Sequence, residues 1–396
     1  MEGFLIDVAS ARAAVLTAAE PLDSEPVALE HTLGRVLAED AASAEDLPPF
    51  DSSAMDGYAV VSGPAAELPV VDESRAGHPA TRALRPGEAM GISTGARVPE
   101  GADAVVPVER VEVRDGTVLV PESRAGAHVR RAGEDVRAGV LVIRAGTPIG
   151  PAEAAVLAAL GRAEVRCGCR PRVALLVTGD ELIAPGRPLG PGQIRDSNLY
   201  AMAAQAERAG AATVLREVVP DDPERTRSAL ARALEDADVV CVSGGVSVGP
   251  HDHVKPALAA LEVEEIFWRV ALKPGKPTWF GRRGSTLVFG LPGNPVSAMV
   301  TFHLFVRPAL RRLAGADPAD TRGVAVLDAP VAREAKRDQV LRCRLRVAED
   351  GWHVEPTKEQ GSHVLTSMLD AGAFAVVPAG EGRVEAGERV GVEILF

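Results

Sequence analysis

The sequence predicts an α/β multidomain protein with a mainly parallel βαβ sheet domain, an inserted all-β lobe, an elongated α-containing N-terminal domain and a C-terminal β-barrel. Strands alternate with helices between residues 170 and 316, which is typical of a parallel sheet. Between residues 60 and 136, short Val-rich segments alternate with Gly and Pro, which indicates a compact all-β unit. After residue 316 the chain returns to short strands. We therefore expect the domains 1–45 with 137–169, 46–136, 170–316 and 317–396.

The amino-acid composition indicates a globular protein and argues against a nucleic-acid-binding or membrane-spanning one. An apolar content of 46% with 25% charged residues is that of an ordinary soluble globular protein. The formal charge of −12 argues against nucleic acid as the main partner. No apolar run approaches the roughly 20 residues that are needed to span a membrane. The four cysteines have neither C-x-x-C nor zinc-site spacing, so we expect a reduced, cytoplasmic protein.

Two helices flank the all-β lobe in the sequence. Residues 5–20 carry apolar residues at helical spacing, with Asp7 available as the N-cap. Residues 151–160 predict a second helix, which begins at Pro151 and ends before Gly161. The lobe is therefore predicted to be inserted into an α-containing segment.

The lobe contains one loop that is rich in hydrogen-bonding side chains. Residues 47–60 read LPPFDSSAMDGYAV, in which the two prolines break regular structure and the Asp and Ser side chains favour turns. This loop is either a well-anchored turn or part of a site. Thr94 lies on a second loop, STGA, and the mixed charges of residues 130–135 are typical of a solvated turn.

The sheet domain contains a Gly-rich loop after a buried strand. Residues 239–242 are a short apolar run with the β-branched content of such a strand, and Ser243-Gly244-Gly245 follow. Backbone N–H groups can approach an anion closely where side chains are missing. Tight turns also need glycine for steric reasons alone, so both interpretations stay open. In the same domain, Ser197 or Asn198 is expected to cap a helix that runs to Arg208. Residues 266–272 are expected to form one strand that leads into Lys273.

Several charged residues are expected to meet at one edge of this sheet. Loops that leave the carboxyl ends of parallel strands lie together. Carboxylates suit Mg²⁺, which usually binds through one or two acids and substrate phosphates, and lysines act as point charges for phosphate. The sequence therefore predicts a cleft for an anionic substrate, formed by Asp180, Glu181, Asp221, Asp222, Gly244, Gly245, Asp252, Lys273, Lys276 and the turn 291–295.

The C-terminal region contains a strand with two different faces. In residues 339–348, Leu and Cys side chains alternate with Arg342, Arg344 and Arg346, so one face is apolar and the other is basic. The basic stripe is either a solvated strand face or a wall that faces an anion. Residues 360–363 and 366–368 add hydroxyl groups on a following loop.

Taken together, these stretches resemble those of a known family, the molybdopterin molybdenumtransferases, which include the bacterial MoeA proteins and the gephyrin E domain. The resemblance covers nearly the whole chain, in the family's order, and is carried by PPFDSSAMDGYAV, TGARVPEGADAVVPVE, RRAGEDV, LLVTGDEL, GQIRDSN, SGGVSVGPHDH, LKPGKP, LPGNPVSA and QGSHVLTSM. It implies a sheet domain of the molybdopterin-binding type. It also implies an enzyme that takes adenylylated molybdopterin and molybdate, cleaves the adenylate with Mg²⁺, inserts molybdenum and releases AMP.

The resemblance further implies a cytoplasmic homodimer whose active site lies between the sheet domain of one subunit and the β lobe of the other. The catalytic residues implied are Asp56, Glu181, Asp221, Asp252 and Lys273, with Glu181, Asp221 and Asp252 as the Mg²⁺ ligands. The substrate-binding residues implied are Thr94, Gly244, Gly245, Ser247, Arg269, Lys276, Pro292, Pro295, Ser362 and Ser367. Asp56 and Thr94 would lie on the partner side of the cleft, with Asp135 nearby.

This sequence departs from the family pattern in two places. His253 stands where members often have an aromatic residue, and Arg269 stands where many have lysine. Arginine keeps the charge but binds anions as a planar fork.

Two alternatives remain. One is a molybdopterin adenylyltransferase-like enzyme, against which the flanking β domains argue. The other is a non-catalytic molybdopterin-binding scaffold, against which the acids and lysines of the cleft argue. The expected protein partners are a molybdopterin adenylyltransferase and the molybdoenzymes that receive the cofactor.

Overall fold

The structure is a computed structural model that describes residues 5–246 and 252–395. Its described residues form two compact units. The first unit comprises the described parts of Met1–Ala38, Gly146–Gly150 and Glu164–Phe396. The second unit comprises Glu39–Ala145 and Pro151–Ala163.

A mainly parallel sheet forms the centre of the first unit, as predicted. Its strands lie in the spatial order Ala212–Val219, Arg172–Thr178, Val239–Ser243, Thr286–Leu291, Trp279–Arg283 and Glu264–Trp268. The first four run parallel, and the last two pairings are antiparallel. The central strands are continuous apolar runs because both faces of the sheet are covered, and Val239 and Val240 are fully buried.

Helices accompany this sheet. They are Val8–Ala18, Asn198–Arg208, Pro223–Asp236, Val254–Ala260, Pro295–Thr301 and Arg307–Leu313, and the last two are joined by a π-helical turn, Phe302–Val306. Asp7 is the N-cap of the first helix, as predicted, because its carboxylate accepts a 2.7 Å hydrogen bond from the Ser10 N–H. Val8, Ala11 and Val15 of that helix are buried in the same core cluster as residues of the sheet.

The cap of the helix Asn198–Arg208 differs from the prediction. Ser197 occupies the N-cap position, but its side chain makes no capping hydrogen bond, and the carboxylate of Asp196 accepts instead from the Leu199 N–H at 3.2 Å. Asp196 is only 3% exposed, and its Oδ2 has no hydrogen-bond partner among the residues that the structure describes. Burial raises the pKa of this carboxyl.

The single strand predicted over residues 266–272 is wrong. Glu264–Trp268 belongs to the parallel sheet, but Leu272–Lys273 pairs with Asp338 and Gln339 of a different sheet. The chain breaks at Arg269, whose φ of +71° is not a strand conformation. The strand Trp279–Arg283 was not predicted from sequence.

The predicted C-terminal β-barrel is confirmed. Within the described residues five strands close into a ring, because the first pairs with the last: Asp338–Ala348, Gly351–Pro356, Arg322–Leu327, Arg389–Ile394 and Ala373–Val377. Small aliphatic residues and Cys343 fill its interior. Shorter elements complete the unit: the strand pairs Ser24–Ala28 with Glu164–Gly168, Leu182–Ile183 with Ile194–Arg195, and Val331–Ala332 with Arg383–Val384, and the 3₁₀ turns Leu29–His31 and Leu365–Met368.

The basic stripe of the strand Asp338–Ala348 is not one solvated face. Arg344 and Arg346 are exposed and pair with acids. Arg342 is fully buried. It lies on the same strand face as Val340, which packs into the core formed by the helices and the parallel sheet. Barrel closure therefore divides the stripe into an exposed part and a buried part.

The second unit contains residues 46–136, which were predicted to form an all-β lobe, and is mainly β. Its largest sheet has the order Ala104–Pro107, Gly57–Val60, Ala89–Ile92, Ala66–Ser74, Thr117–Val120 and Glu112–Arg114. Neighbours are antiparallel, apart from the pairing of Ala66–Ser74 with Ala89–Ile92. The strand pairs Ser52–Ser53 with Val129–Arg130 and Ala41–Ala42 with Leu141–Ile143, the 3₁₀ turn Val108–Arg110 and the predicted helix Pro151–Ala159 complete it.

In the described part of the chain, no helix combines the length and the apolar character that a membrane crossing requires.

Gly281, in the strand Trp279–Arg283, provides a test of the packing between neighbouring strands of the sheet. A Cβ at Gly281 would overlap the carbonyl oxygen of Glu264 and the ring of Trp279. We expect Gly281→Ala to lower the free energy of unfolding by about 2 kcal/mol, measured by urea denaturation. The matched control is Gly391→Ala, also in a strand, because its Cβ would meet no atom within 4 Å. Equal stabilities of the two variants would contradict the described packing.

The buried carboxylate of Asp196 makes stability depend on pH. Folding raises the pKa of the Asp196 carboxyl, so the folded state favours its protonated form. Its contribution to the free energy of unfolding is therefore fully present below the ordinary pKa of aspartate. That contribution is lost as the pH rises through the pKa of the folded state. We expect Asp196→Asn to melt at a higher temperature than the wild type at pH 7, with a difference that shrinks as the pH falls towards 4. A variant that melts lower at pH 7 would show that the carboxylate is held ionised by a partner.

Candidate active site

Loops of the first unit meet at the carboxyl edge of the parallel sheet, as expected from strand order. The Asp221 N–H donates to the Asp180 carboxylate at 3.2 Å, so the loops after two neighbouring strands are in contact. On the other side, a Cβ at Gly244 would lie 2.7 Å from Oγ1 of Thr178. The structure thus places the loops that carry Glu181, Asp221 and Gly244 side by side.

The two glycines are required by close packing. Gly244 and Gly245 have φ values of +95° and +65°, in the region that favours glycine. The N–H of Gly244 donates to the Leu291 carbonyl at 3.1 Å. This N–H is therefore already used within the fold and is not available to bind an anion. A Cβ at Gly245 would lie 2.7 Å from a methyl group of Val254. Ser247 lies outside the described residues.

The acids at this edge do not form a dense metal cluster. Among residues 5–246 and 252–395, no group of three or more His, Cys, Asp or Glu side chains is arranged to hold a metal ion. The carboxylate of Glu181 turns back towards Gly179, where a Cβ would lie 2.5 Å from it. Asp252 is half-buried and lies two residues before the helix Val254–Ala260.

The side chain of Asn198 links two of these loops. Its Nδ2 donates to Oγ of Ser243 at 2.9 Å and to the carbonyl of Gly293 at 2.7 Å. The Ser243 hydroxyl in turn donates to the carbonyl of Pro292 at 2.9 Å. Pro292 is buried, and Pro295 occupies the first turn of its helix, where its missing N–H is not needed. The turn is therefore anchored to the end of the central strand.

The barrel contributes a loop to the same turn. Nδ2 of Asn294 donates to Oγ of Ser362 at 3.0 Å, and the Val296 N–H donates to the Ser362 carbonyl at 3.2 Å. Ser367 is buried, and its hydroxyl donates to the Val364 carbonyl at 2.6 Å. Ser362 is therefore beside the turn, whereas Ser367 supports the loop from behind.

Arg342 was named only as part of the basic stripe, and not as an individual site residue. Its guanidinium donates to Ser367 Oγ at 3.1 Å and to the carbonyls of Glu359 and Gly361 at 2.9 and 3.1 Å. Its Nη1 is buried and has no hydrogen-bond partner within the described residues. A buried cation with an unused donor is costly. The basic stripe was the available signal, but burial of Arg342 requires barrel closure.

Two cations lie over one aromatic ring near the Gly-rich loop. Nζ of Lys255 is 3.2 Å from the ring centre of Trp268, and the guanidinium carbon of Arg269 is 4.0 Å from it. The indole N–H donates to the Val246 carbonyl at 3.2 Å. Such cation–π contacts hold positive charge close to the loop, although Lys255 also pairs with Glu265 at 3.6 Å. Lys255 was not singled out from sequence, because its role depends on the position of the ring.

Lys273 and Lys276, the lysines predicted to bind phosphate, are both exposed, but only Lys273 has an ion-pair partner shown within the described residues. Lys273 forms an ion pair with Glu334, and this contact lowers the pKa of the Glu334 carboxyl. Its charge is therefore compensated within the unit. Lys276 is exposed at the end of the same loop.

In the second unit, Asp56 and Thr94 lie together. The Asp56 carboxylate accepts a 2.8 Å hydrogen bond from the Thr94 N–H, and both residues are exposed. The neighbouring acid, Asp51, accepts from the Ala132 N–H at 2.8 Å and pairs with Arg131, and these contacts lower its pKa. The loop 47–60 was predicted to be either an anchored turn or part of a site. Asp51 anchors the turn, while Asp56 faces solvent.

Asp135 is also exposed on the second unit. Its N–H donates to the Leu47 carbonyl at 3.0 Å, so backbone bonding holds the turn while the carboxylate faces solvent.

Three family models match successive stretches of this chain. Residues 6–161 match the MoeA N-terminal region, domains I and II. Residues 174–312 match a probable molybdopterin binding domain, and residues 324–395 match the MoeA C-terminal region, domain IV. The three matches together cover most of the sequence.

Individual relatives are similar over the same length. The molybdopterin molybdenumtransferase of Haemophilus influenzae is 36% identical over 384 residues, which are 94% of each chain. Molybdopterin molybdenumtransferase 2 of Mycobacterium tuberculosis is 39% identical over 383 residues, covering 92% of this chain and 94% of the relative. The crystal structure of the molybdopterin biosynthesis MoeA protein from Pyrococcus horikoshii OT3 has a TM-score of 0.83 at 30% identity, covering 99% of this chain and 100% of that one. This chain therefore belongs to the molybdopterin molybdenumtransferase family and is a transferase of molybdenum cofactor biosynthesis.

Proposed function

We propose that this protein inserts molybdate into adenylylated molybdopterin, with Mg²⁺ as the activating ion and AMP as the released product. The observation that carries the proposal is the buried guanidinium of Arg342, whose Nη1 lacks a partner within the described residues. It is joined to the sheet edge through the loop that contains Gly361 and Ser362. The family membership supports the same activity.

The chemistry requires charge neutralisation on phosphate oxygens and a positioned nucleophile. Arg342 would bind an oxyanion, molybdate or phosphate, through the unused N–H groups of its planar fork. Arg269 and Lys276 would add positive charge, with Lys255 beside Arg269 on Trp268. A molybdate oxygen, or a water that molybdate positions, would attack the phosphoanhydride and expel AMP.

The remaining predicted residues would shape the site. Pro292 and Pro295 would form a wall, since the turn between them is anchored by Asn198. Gly244 and Gly245 would let the substrate approach the strand end, because side chains there are sterically excluded. Ser362 would contact the substrate from the barrel loop, with Ser367 holding Arg342 in place. Lys273 would have to break its ion pair with Glu334 before it could bind phosphate. Ser247 is proposed from the resemblance alone.

The donor set at the strand edge fits Mg²⁺. This ion usually binds one or two carboxylates and completes its shell with substrate phosphates and water, so a denser cluster is not needed. Asp221, Glu181 and Asp252 would hold it. When bound, it would neutralise charge on the phosphate oxygens.

We further propose a cytoplasmic homodimer in which Asp56 and Thr94 of a second subunit complete the site. Their exposure and mutual hydrogen bond support this role. The four cysteines are free thiols, which supports a reducing compartment. The expected donor is a molybdopterin adenylyltransferase, and the expected recipients are molybdoenzymes.

The direct test is AMP release from adenylylated molybdopterin, with molybdate and Mg²⁺ each present or omitted. We expect release only when both are present. The matches along the whole chain favour this activity over an adenylyltransferase. No release from a folded protein that binds molybdopterin would favour the scaffold instead.

Adjacent aspartates give a matched pair for the acid site. We expect Asp221→Ala to reduce the rate of AMP release roughly hundredfold or more, with little change in melting temperature. Asp222→Ala should instead lower the melting temperature and leave turnover nearly intact. Asp222 is the N-cap of Pro223–Asp236, and its carboxylate accepts from the Arg225 N–H at 2.9 Å; losing such a cap costs about 1 kcal/mol. The reverse pattern would remove Asp221 from the catalytic residues.

A second pair tests the lobe. We expect Asp56→Ala to impair AMP release while the melting temperature stays close to that of the wild type. Asp51→Ala is the control, and it should lower the melting temperature because it removes the bonds to Ala132 and Arg131. A large loss of melting temperature in Asp56→Ala would make Asp56 a structural turn residue.

A further inference from the structure

The first unit contains a cavity of about 370 Å³ that none of the residues proposed for catalysis or substrate binding lines. It lies between the last turn of the helix Asn198–Arg208, the segment that includes the π-helical turn, and the barrel side around Phe374. Cavities of this volume are typical of small-molecule sites in proteins.

Two buried polar atoms on residues that line this cavity lack hydrogen bonds. His303 is 6% exposed, and its Nε2 has no hydrogen-bond partner in the described part of the chain. Oε2 of Glu393 is 3.8 Å away, beyond hydrogen-bond distance. Gln205 uses its Nε2 to donate to the Met299 carbonyl at 3.1 Å, but its Oε1 is buried without a partner there. Unsatisfied buried polar atoms are costly, and a ligand that hydrogen-bonds to both would remove the cost.

The imidazole of His303 is a neutral group at pH 7. Burial lowers its pKa to about 4, and the positive charges of Arg307, Arg12 and Arg208 act in the same direction, against the attraction of Glu393. A neutral imidazole offers one nitrogen as a donor and the other as an acceptor. It is therefore suited to a hydroxyl or ring nitrogen, and not to pairing with an anion.

The charge on the cavity wall is positive. Arg208, in the last turn of its helix, is exposed and lines the cavity. Arg307 also lines it, but Asp320 compensates its charge at 2.5 Å. A basic residue in the last helical turn is also favoured by the helix dipole alone. Here, however, it stands beside a cavity whose lining residues include His303 and Gln205, each of which has one unsatisfied buried atom.

Apart from Thr321, the rest of the lining is apolar. Met299, Met368 and Phe374 contribute side chains, and the His303 ring packs edge-on against Phe374 with ring centres 5.5 Å apart. Methionine sulfurs and aromatic faces accommodate planar rings well. The wall thus favours an aromatic body over a sugar or a bare anion.

We propose that this cavity binds a small planar aromatic carboxylate that also carries a hydroxyl group. The ring would lie against Met299, Met368 and Phe374, the hydroxyl would donate to Oε1 of Gln205, and the carboxylate would pair with Arg208. The cavity shares its supports with the candidate active site. Gln205 follows Asn198 by two helical turns, and Met368 follows Ser367 directly.

The test uses 6-hydroxy-2-naphthoate as the probe and isothermal titration calorimetry on the full chain. We expect saturable binding of one probe per chain. Arg208→Gln should weaken it about tenfold or more, since a charge-assisted hydrogen bond contributes about 1.5–3 kcal/mol. Gln205→Leu should weaken the hydroxylated probe but leave 2-naphthoate unaffected. Arg227→Gln is the matched control, because Arg227 lies on another helix and pairs with Glu224 at the surface.

A cavity-filling variant separates this site from other surfaces. Ala371 lines the cavity, and Ala371→Leu should abolish binding in a protein whose melting temperature is close to that of the wild type. Ala209 lines the cavity at the end of the helix Asn198–Arg208, and Ala209→Leu serves if the first variant does not fold. The proposal is overturned if the probe shows no saturable binding. It is equally overturned if binding survives unchanged in Arg208→Gln, Gln205→Leu and the folded filling variant.

Discussion

The amide of Asn198 holds the candidate site together. One side-chain nitrogen donates to Ser243, at the end of the central strand, and to Gly293, in the turn before the next helix. From that turn, Asn294 reaches the barrel loop at Ser362, and the same loop bonds to Arg342. Each neutral hydrogen bond contributes only about 1 kcal/mol, but together they set the relative positions of loops from two separate sheets. Without them, strand order alone would bring the loops near each other but would not orient them.

Charges of both signs lie at this edge. Glu181 and Asp221 stand on its loops together with Arg269 and Lys276, while the whole chain carries a formal charge of −12. Partial desolvation would strengthen the attraction of the cations for an anion. An acidic surface disfavours extended nucleic acid. The guanidinium of Arg342 is buried, and hydrogen bonds to one hydroxyl and two carbonyls fix its position.

Local sequence patterns predicted the parts of the fold that local physics determines. Buried strands such as Val239–Ser243 are continuous apolar runs because they are covered on both faces, and Asp7 begins its helix because its carboxylate reaches the Ser10 N–H. The errors arose where distant segments meet. Leu272–Lys273 was joined to the wrong strand because its partner lies more than 60 residues away in the barrel. Burial of Arg342 likewise depends on barrel closure, and the engagement of the Gly244 N–H depends on Leu291.

The most direct measurement is a crystal structure of the protein soaked with tungstate, an oxyanion like molybdate, with the metal located by its anomalous scattering. We expect a tungsten peak beside Arg342, placed so that a tungstate oxygen lies within hydrogen-bond reach of Nη1, on the side of the turn that contains Pro292 and Asn294. A well-ordered peak elsewhere in the molecule, with none beside Arg342, would contradict it. In that case the buried guanidinium would be a structural group, and the oxyanion site would have to be sought among the other cations.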